Sequence, residues 1–274
     1  MIQVRVLGDL DVRSGAISAH DGGGLDDSAR RPVVPLPARL QRKLLAALTI
    51  RGGRTCSRDH LIDVLWGDSP PPSAVKVLQT YVSSLRHLLG DELRILTVGS
   101  AYRLEGDLPA SVDAVRFERL LRDARSAAGR DDWGTADRLL NASLALWRGR
   151  AYEEFADEPF ATAESARLER LRLEAETERL ECALRLGRAF DVVDDAICLA
   201  GEHPLDERIQ AIAMVTLYRC RRAGEALRVF ETTRHALAQE VGLEPGVELA
   251  ELRGRILRHD PTLEWVGPRR APLG

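Results

Sequence analysis

Residues 71–89 carry side chains whose types and spacing suit hydrogen bonding to a nucleic acid. At about 100° per residue, one face of this segment collects polar groups: Lys76, Gln79, Thr80, Ser83, Ser84, Arg86 and His87. The face contains no acidic residue, whereas a helix face that is merely solvated usually carries glutamates. The pattern predicts a helix that lies in the major groove of DNA. The alternative is a solvated helix of a small α/β domain.

The first two turns of this helix suit base recognition. Lys76 can donate to guanine O6 and N7 or to a phosphate, and Gln79 can pair with an adenine edge. A thymine methyl can contact an aliphatic or threonine side chain at the same level. The predicted base-reading residues are Lys76, Val77, Gln79 and Thr80. The predicted backbone contacts nearer the C-terminal end are Ser83, Arg86 and His87.

Local signals define where this helix begins and ends. Three prolines at residues 70–72 stop the preceding segment, and Ser73 can serve as the N-cap. Gly90 follows the last turn, as glycine commonly does after a helix. An apolar line faces the expected core and is formed by Leu78, Val82, Leu85 and Leu89.

The preceding residues predict elements that would position the helix. Strands are expected at residues 3–7, 11–13 and 33–36, with a mobile loop at 14–31 between the last two. Helices are expected at 38–51 and 58–66, the second capped by Ser57. Residues 93–98 and 102–105 alternate around a Gly-Ser turn and predict a β-hairpin. Strands, three helices and a hairpin, in that order, predict a winged helix-turn-helix.

Charge supports a polyanionic partner for this half of the chain. Residues 1–106 hold 14 Lys and Arg against 11 Asp and Glu, and residues 28–58 contain eight basic residues and no acid. A solvated basic surface is the alternative. The candidate backbone contacts outside the groove helix are Arg39, Arg42, Lys43, Arg54 and Arg58. If about six cations neutralise phosphates, log K should fall against log salt with a slope of roughly −5.

The hairpin supplies two further candidates, Tyr102 and Arg103. Arg103 can enter the minor groove, although simple strand packing equally explains the Tyr-Arg-Leu sequence that contains both residues.

The second half of the chain is helical by pattern. Residues 184–191 match 218–225 at an offset of 34, the tetratricopeptide period. The predicted fold class is therefore mostly α, with an N-terminal α+β winged helix-turn-helix followed by an all-α tetratricopeptide-like helical-repeat domain. The predicted helices span residues 113–128, 133–147, 160–186, 190–201, 206–220, 224–241 and 246–259. The predicted domains are 1–106, a linker at 107–112, 113–262, and a tail at 263–274 whose last residues are expected to be disordered.

Several function classes find no support in the sequence. No apolar run is long enough to span a membrane, and the N-terminus lacks the apolar core of a signal peptide, so we expect a cytoplasmic, nucleoid-associated protein. The four cysteines form no CxxC pair, and the six histidines show no metal-ligand spacing. We therefore expect no catalytic residue, no metal and no cofactor.

Longer motifs resemble a known family. PARLQRKLLAALTIRGG, SRDHLIDVLWGDSPP, LQTYVSSLRHLLG and AYRL resemble the OmpR-type winged helix of the SARP family, the Streptomyces antibiotic regulatory proteins. ALWRG, DEPFATAESARLERLRLEA, EHPLDER and LYRCRRAGEAL resemble the bacterial transcriptional activation domain that follows it. Two features depart from the family: the 14–31 loop is longer, and Ala101 replaces a glycine of the wing.

The resemblance implies a transcriptional activator of a secondary-metabolite (antibiotic) gene cluster. Such a protein would bind direct repeats in double-stranded promoter DNA as a tandem pair and recruit RNA polymerase holoenzyme. The alternative is a helical-repeat module that binds a protein or ligand and whose N-terminal domain does not bind DNA. An enzyme is a more distant third possibility.

Overall fold

A computed structural model describes residues 2–15 and 32–265 of the 274-residue chain. Most of the loop predicted at 14–31, and all but the first three residues of the tail, lie outside the described residues. The chain divides into two compact units, Met1–Asp123 with Leu139–Ala175, and Ala124–Arg138 with Glu176–Gly274. The first unit holds all the residues predicted to contact DNA.

The N-terminal strands pair as predicted, but the third strand is much shorter than predicted. β1 (Ile2–Arg5) and β2 (Asp11–Ser14) form an antiparallel pair. Where a strand was expected at 33–36, only Val33 forms a bridge, to Arg13. The segment contains Pro32 and Pro35, and proline is disfavoured within a β-ladder, in agreement with a pairing limited to one bridge.

Three helices follow as the sequence predicts. They are α1 (Arg39–Ile50), α2 (Arg58–Trp66) and α3 (Ala74–Leu89). Ser57 caps α2 by accepting from the His60 N–H at 3.2 Å, which confirms that prediction. Ser73 occupies the N-cap position of α3 but makes no capping hydrogen bond. Its backbone (φ −95°, ψ 14°) is not in the extended conformation of an N-cap, so the capping prediction was wrong.

The hairpin joins a three-stranded sheet. β4 (Leu93–Val98) pairs with β5 (Ala101–Gly106), and β5 also pairs with β3 (Cys56–Ser57), which places β4 at the edge. A strand of two residues shows no alternation, and sequence reasoning missed it. Buried leucines from the helices and the sheet form the core: Leu44, Leu48, Leu61, Leu78, Leu85, Leu89 and Leu93.

The predicted linker contains a short helix. α4 (Leu108–Ser111) is capped by Asp107, which accepts from the Ala110 N–H at 3.2 Å. α5 (Asp113–Ala128) begins immediately afterwards with a buried carboxylate. Asp113 accepts from the backbone N–H groups of Val6 at 2.8 Å and Leu7 at 3.1 Å. The linker region is therefore folded against the residues that follow β1.

A second segment also covers the residues after β1. The Tyr152 N–H donates to the Val6 carbonyl at 2.6 Å, and the Arg148 N–H donates to the Leu7 carbonyl at 2.9 Å. The buried Tyr152 hydroxyl reaches the Thr49 hydroxyl of α1 at 3.4 Å. Within the first unit, residues 148–153 thus share backbone hydrogen bonds with the N-terminal segment. The domain boundary after residue 106 stays a prediction.

The remaining helices agree with the predicted mostly α class. They are α6 (Trp133–Leu144), α7 (Pro159–Arg185), α8 (Val193–Glu202), α9 (Glu207–Arg219), α10 (Ala223–Glu240) and α11 (Val247–Leu257). α8 begins later than predicted because Ala189–Asp191 forms a 3-10 turn, in which Phe190 is 70% exposed. In the second unit, Met214, Phe230 and Ile256 belong to one buried apolar cluster. None of the described helices is long and apolar enough to cross a membrane.

Asp113 generates a prediction about stability and pH. Burial raises its pKa from 3.8 to about 6, although the backbone donors Val6 and Leu7 oppose the shift. Because the pKa is higher in the folded state, the contribution of Asp113 to stability is full below pH 4 and is lost as pH rises through 6. We expect a loss of about 3 kcal/mol over this range.

Urea unfolding of wild type and Asp113→Asn at pH 4 to 7 measures this loss. The variant cannot titrate at this position, so its deficit relative to wild type should shrink as pH rises. A deficit that stays constant across the range would show that the folded-state pKa is not raised.

Candidate nucleic-acid interface

Helix α3 presents the predicted polar face to solvent. Its buried line consists of Ala74, Leu78, Val82, Leu85 and Leu89. The residues predicted to read bases or contact backbone are exposed, except for half-buried Val77: Lys76, Gln79, Thr80, Ser83, Arg86 and His87. Since this face carries no carboxylate, it presents hydrogen-bond donors and acceptors together with two cations, Lys76 and Arg86.

Two details of the first turns go beyond the sequence prediction. The Thr80 hydroxyl donates to the Lys76 carbonyl at 3.0 Å, so its proton is used within the helix and its oxygen remains an acceptor. Val75, one residue before Lys76, is 39% exposed. It adds an aliphatic surface next to Lys76, and the helical pattern alone did not distinguish it from a core residue.

The wing supplies less charge than predicted. Tyr102 is only 7% exposed and pairs with Cys56 across the sheet, which corrects its assignment to a DNA contact. Arg103 is half-exposed and forms an ion pair with Glu105 at 2.9 Å. The turn between β4 and β5 consists of Gly99 and Ser100 and has no charged side chain.

The cations of α1 are engaged with an acidic turn, defined here as residues 153–158. Arg39 forms an ion pair with Glu158 at 2.6 Å, and Lys43 pairs with the same carboxylate. Arg42 donates through Nε and Nη2 to Glu154 at 2.9 and 2.7 Å.

Arg42 also donates to the carbonyl oxygens of Leu36 and Pro37. Its guanidinium therefore has a structural role. All these residues belong to the first unit.

The two basic residues near α2 are less constrained. Arg54 is exposed, and its Nε donates to the nearby Arg51 carbonyl at 3.2 Å. The Arg58 side chain is partly exposed and lies 3.6 Å from the exposed Asp59 carboxylate. Both guanidinium groups can still approach a phosphate. Arg86 differs, since it donates to Ile95 and Thr97 of β4.

Within residues 2–15 and 32–265, no three or more His, Cys, Asp or Glu side chains lie close enough together to hold a metal ion.

Comparison with known proteins identifies the family. Residues 112–257 match the model of the bacterial transcriptional activator domain, and residues 35–104 match that of the C-terminal domain of transcriptional regulatory proteins. The chain is 33% identical to regulatory protein DnrI of Streptomyces peucetius, over 97% of this chain and 96% of DnrI. The chain belongs to the SARP family of transcriptional activators.

Two further relatives are longer than this SARP, which matches only part of each. It is 39% identical to regulatory protein AfsR of Streptomyces griseus over 85% of this chain, but the match spans only 24% of AfsR. A solved structure of Mycobacterium tuberculosis EmbR in complex with a low affinity phosphopeptide is similar with a TM-score of 0.81. That match is 28% identical and covers 95% of this chain and 66% of EmbR. The shared architecture confirms the predicted fold class.

The geometry of this SARP divides the predicted contacts into two groups. Lys76, Gln79, Thr80, Ser83 and His87 on α3 are exposed, as is Arg54, and Arg58 is partly exposed. Arg39, Arg42 and Lys43 contact the acidic turn. These contacts join residues more than a hundred positions apart, which no local pattern indicates.

The hydrogen bonds of Arg42 to Glu154, Leu36 and Pro37 generate a prediction about stability. Arg42→Ala would leave Glu154 and two carbonyls without donors, so we expect unfolding to require about 2 kcal/mol less free energy. Arg39→Ala is the matched control, because Arg39 is 63% exposed and should contribute less than about 1 kcal/mol.

Chemical denaturation measures both effects. An Arg42→Ala protein as stable as wild type but weaker in DNA binding would restore the backbone-contact assignment.

Proposed function

We propose that this SARP is a sequence-specific DNA-binding activator of a secondary-metabolite gene cluster, as its resemblance to antibiotic regulatory proteins implies. It would act in the cytoplasm on the nucleoid and would catalyse no reaction of its own. The observation that carries the proposal is the exposed, acid-free polar face of α3 in a winged helix-turn-helix. Groups on this face match the donors and acceptors of base edges.

The base-reading set in this proposal is Lys76, Val77, Gln79 and Thr80. Lys76 is exposed at the first turn of α3, where recognition helices contact base edges. Arg54 and Arg58 would contact phosphates, together with Ser83 and His87 farther along α3. The α1 cations would contribute little while they contact the acidic turn.

Affinity for a promoter would come from two copies. One three-helix module contacts few base pairs, so binding of two protomers to adjacent half-sites raises the overall affinity. A tandem pair would recognise direct repeats, whereas a twofold dimer would recognise a palindrome. Bound next to a promoter, the pair would recruit RNA polymerase holoenzyme.

A second candidate function rests on a groove in the second unit. The groove has a volume of about 320 Å³ and includes Ile197, Leu217, Val229 and Thr232 in its lining. An apolar groove with a polar rim suits a small ligand or a peptide. If the protein showed no salt-dependent binding to promoter DNA, this reading would be preferred.

Base recognition by α3 is tested with single alanine variants. Lys76→Ala and Thr80→Ala should each weaken binding to the cognate promoter, by about tenfold for Lys76. Arg39→Ala should bind as wild type does, because its partner is Glu158. Titration at fixed salt, on a site located by footprinting, gives the affinities. Wild-type affinity of both α3 variants would contradict the assignment.

The salt dependence of binding tests whether the α1 cations contact phosphates in addition to Arg54 and Arg58. With Arg54 and Arg58 as the cationic phosphate contacts, log K should fall against log salt with a slope of about −2 per protomer. The α1 cations would steepen the slope to roughly −5 or beyond if they also took part. Titrations between about 50 and 200 mM salt distinguish these values.

Activation is tested by transcription in vitro from the footprinted promoter with purified polymerase holoenzyme. Transcript yield should rise with added wild-type protein and should rise less with Lys76→Ala. Unchanged or reduced yield with the wild type would contradict the activator proposal.

A further inference from the structure

Arg86 joins the last turns of α3 to the wing. Its Nε donates to the Ile95 carbonyl at 2.7 Å, and its Nη2 donates to the Thr97 hydroxyl at 2.7 Å. Both acceptors lie on β4, and Thr97 is next to the last residue before the wing turn. One planar guanidinium therefore holds two points on the strand that leads to the wing turn.

The position of β4 in the sheet explains why this contact matters. β5 is held on one side by β3, through the pairs Cys56–Tyr102 and Ser57–Ala101. β4 is the edge strand, so no further strand pairs with its outer side. The Arg86 side chain supplies a donor for a carbonyl on this strand and so takes part of the role that a neighbouring strand would have.

A cleft separates the C-terminal end of α3 from the outer part of β4. The cleft has a volume of about 500 Å³ and is lined by residues 86, 87, 90 and 91 on one side and 94–97 on the other. Of the lining residues, Ile95 is buried. Nearer the wing turn, Arg86 makes the hydrogen bonds that connect the two walls.

We propose that Arg86 is a positioning residue that fixes the wing relative to α3, so that both reach DNA in one arrangement. The inference rests on the proposed function and assigns Arg86 a role different from the phosphate contact expected from the sequence. Holding two contact surfaces in place before binding lowers the entropy lost on binding and so raises affinity.

Substitution of Arg86 by lysine distinguishes a phosphate contact from a positioning role. A phosphate contact needs a cation within reach, which a lysine also supplies. The pair of hydrogen bonds to Ile95 and Thr97 needs the planar guanidinium, which donates from several nitrogens. Arg86→Lys should therefore weaken promoter binding about as much as Arg86→Ala, by about tenfold, with the salt slope unchanged. Binding of Arg86→Lys at wild-type affinity, or a slope about one unit shallower for Arg86→Ala, would overturn the proposal.

Thr97 provides the matched control. Thr97→Val keeps the branched shape but removes the acceptor and should weaken binding, whereas Thr97→Ser keeps the hydroxyl and should bind as wild type does. The double variant Arg86→Ala with Thr97→Val should be no weaker than Arg86→Ala alone, because both remove one interaction. Additive losses in the double variant would contradict the coupling. Melting temperatures of all variants, compared with the assay temperature, confirm that the folded fraction is the same.

A measurement without DNA tests the contact between Arg86 and the wing separately from the proposed function. Amide hydrogen exchange in the full chain should be faster across residues 95–100 in Arg86→Lys than in wild type, with exchange in α1 unchanged. Unchanged exchange at the wing would overturn the positioning role even if DNA binding were altered. If the wild type bound no promoter DNA, the proposed function would fail while the exchange result still decided the role of Arg86.

Discussion

The need to satisfy buried backbone groups after β1 organises the first unit. Residues 6–8 continue beyond the strand into the interior, where an unpaired N–H or C=O would cost free energy comparable to a lost hydrogen bond. The Asp113 carboxylate accepts from two of the N–H groups, and Arg148, Tyr152 and Glu153 donate to the carbonyls. These partners come from outside the predicted DNA-binding domain. The N-terminal strands therefore depend on residues that follow the winged helix in sequence.

Ion pairing with the acidic turn divides the basic residues between positions 39 and 58 into two groups. A cation that is close to a carboxylate and partly shielded from water is held by that carboxylate, and this is the position of Arg42 and Lys43. Arg54, on the loop after α1, is exposed and can approach a polyanion. Composition alone treats these residues as equivalent, and only the arrangement of the chain separates them.

The sequence predicted the elements with strong local signals. The 3.6-residue period of α3, the cap at Ser57 and the alternation of the hairpin each correspond to an observed element. Prediction from sequence was wrong where the structure of a residue depends on partners far away in the chain. The two-residue strand β3 exists because β5 is available to pair with it. Tyr102 lies on β5 between β3 and β4 and is buried. The residue types at Ser73 allowed a cap, but the backbone that follows three prolines does not adopt the required conformation.

The uncharged wing turn has a consequence for the DNA that this fold can distinguish. A narrow minor groove, as in A-tracts, concentrates negative potential and is recognised by an inserted cationic side chain. If the wing turn met that groove, Gly99 and Ser100 would offer it only backbone groups and one hydroxyl. A wing of this kind can follow the contour of a duplex but gains little from groove narrowing. Operators for such a module would be defined by their major-groove repeats, and the intervening base pairs would be free to vary in composition.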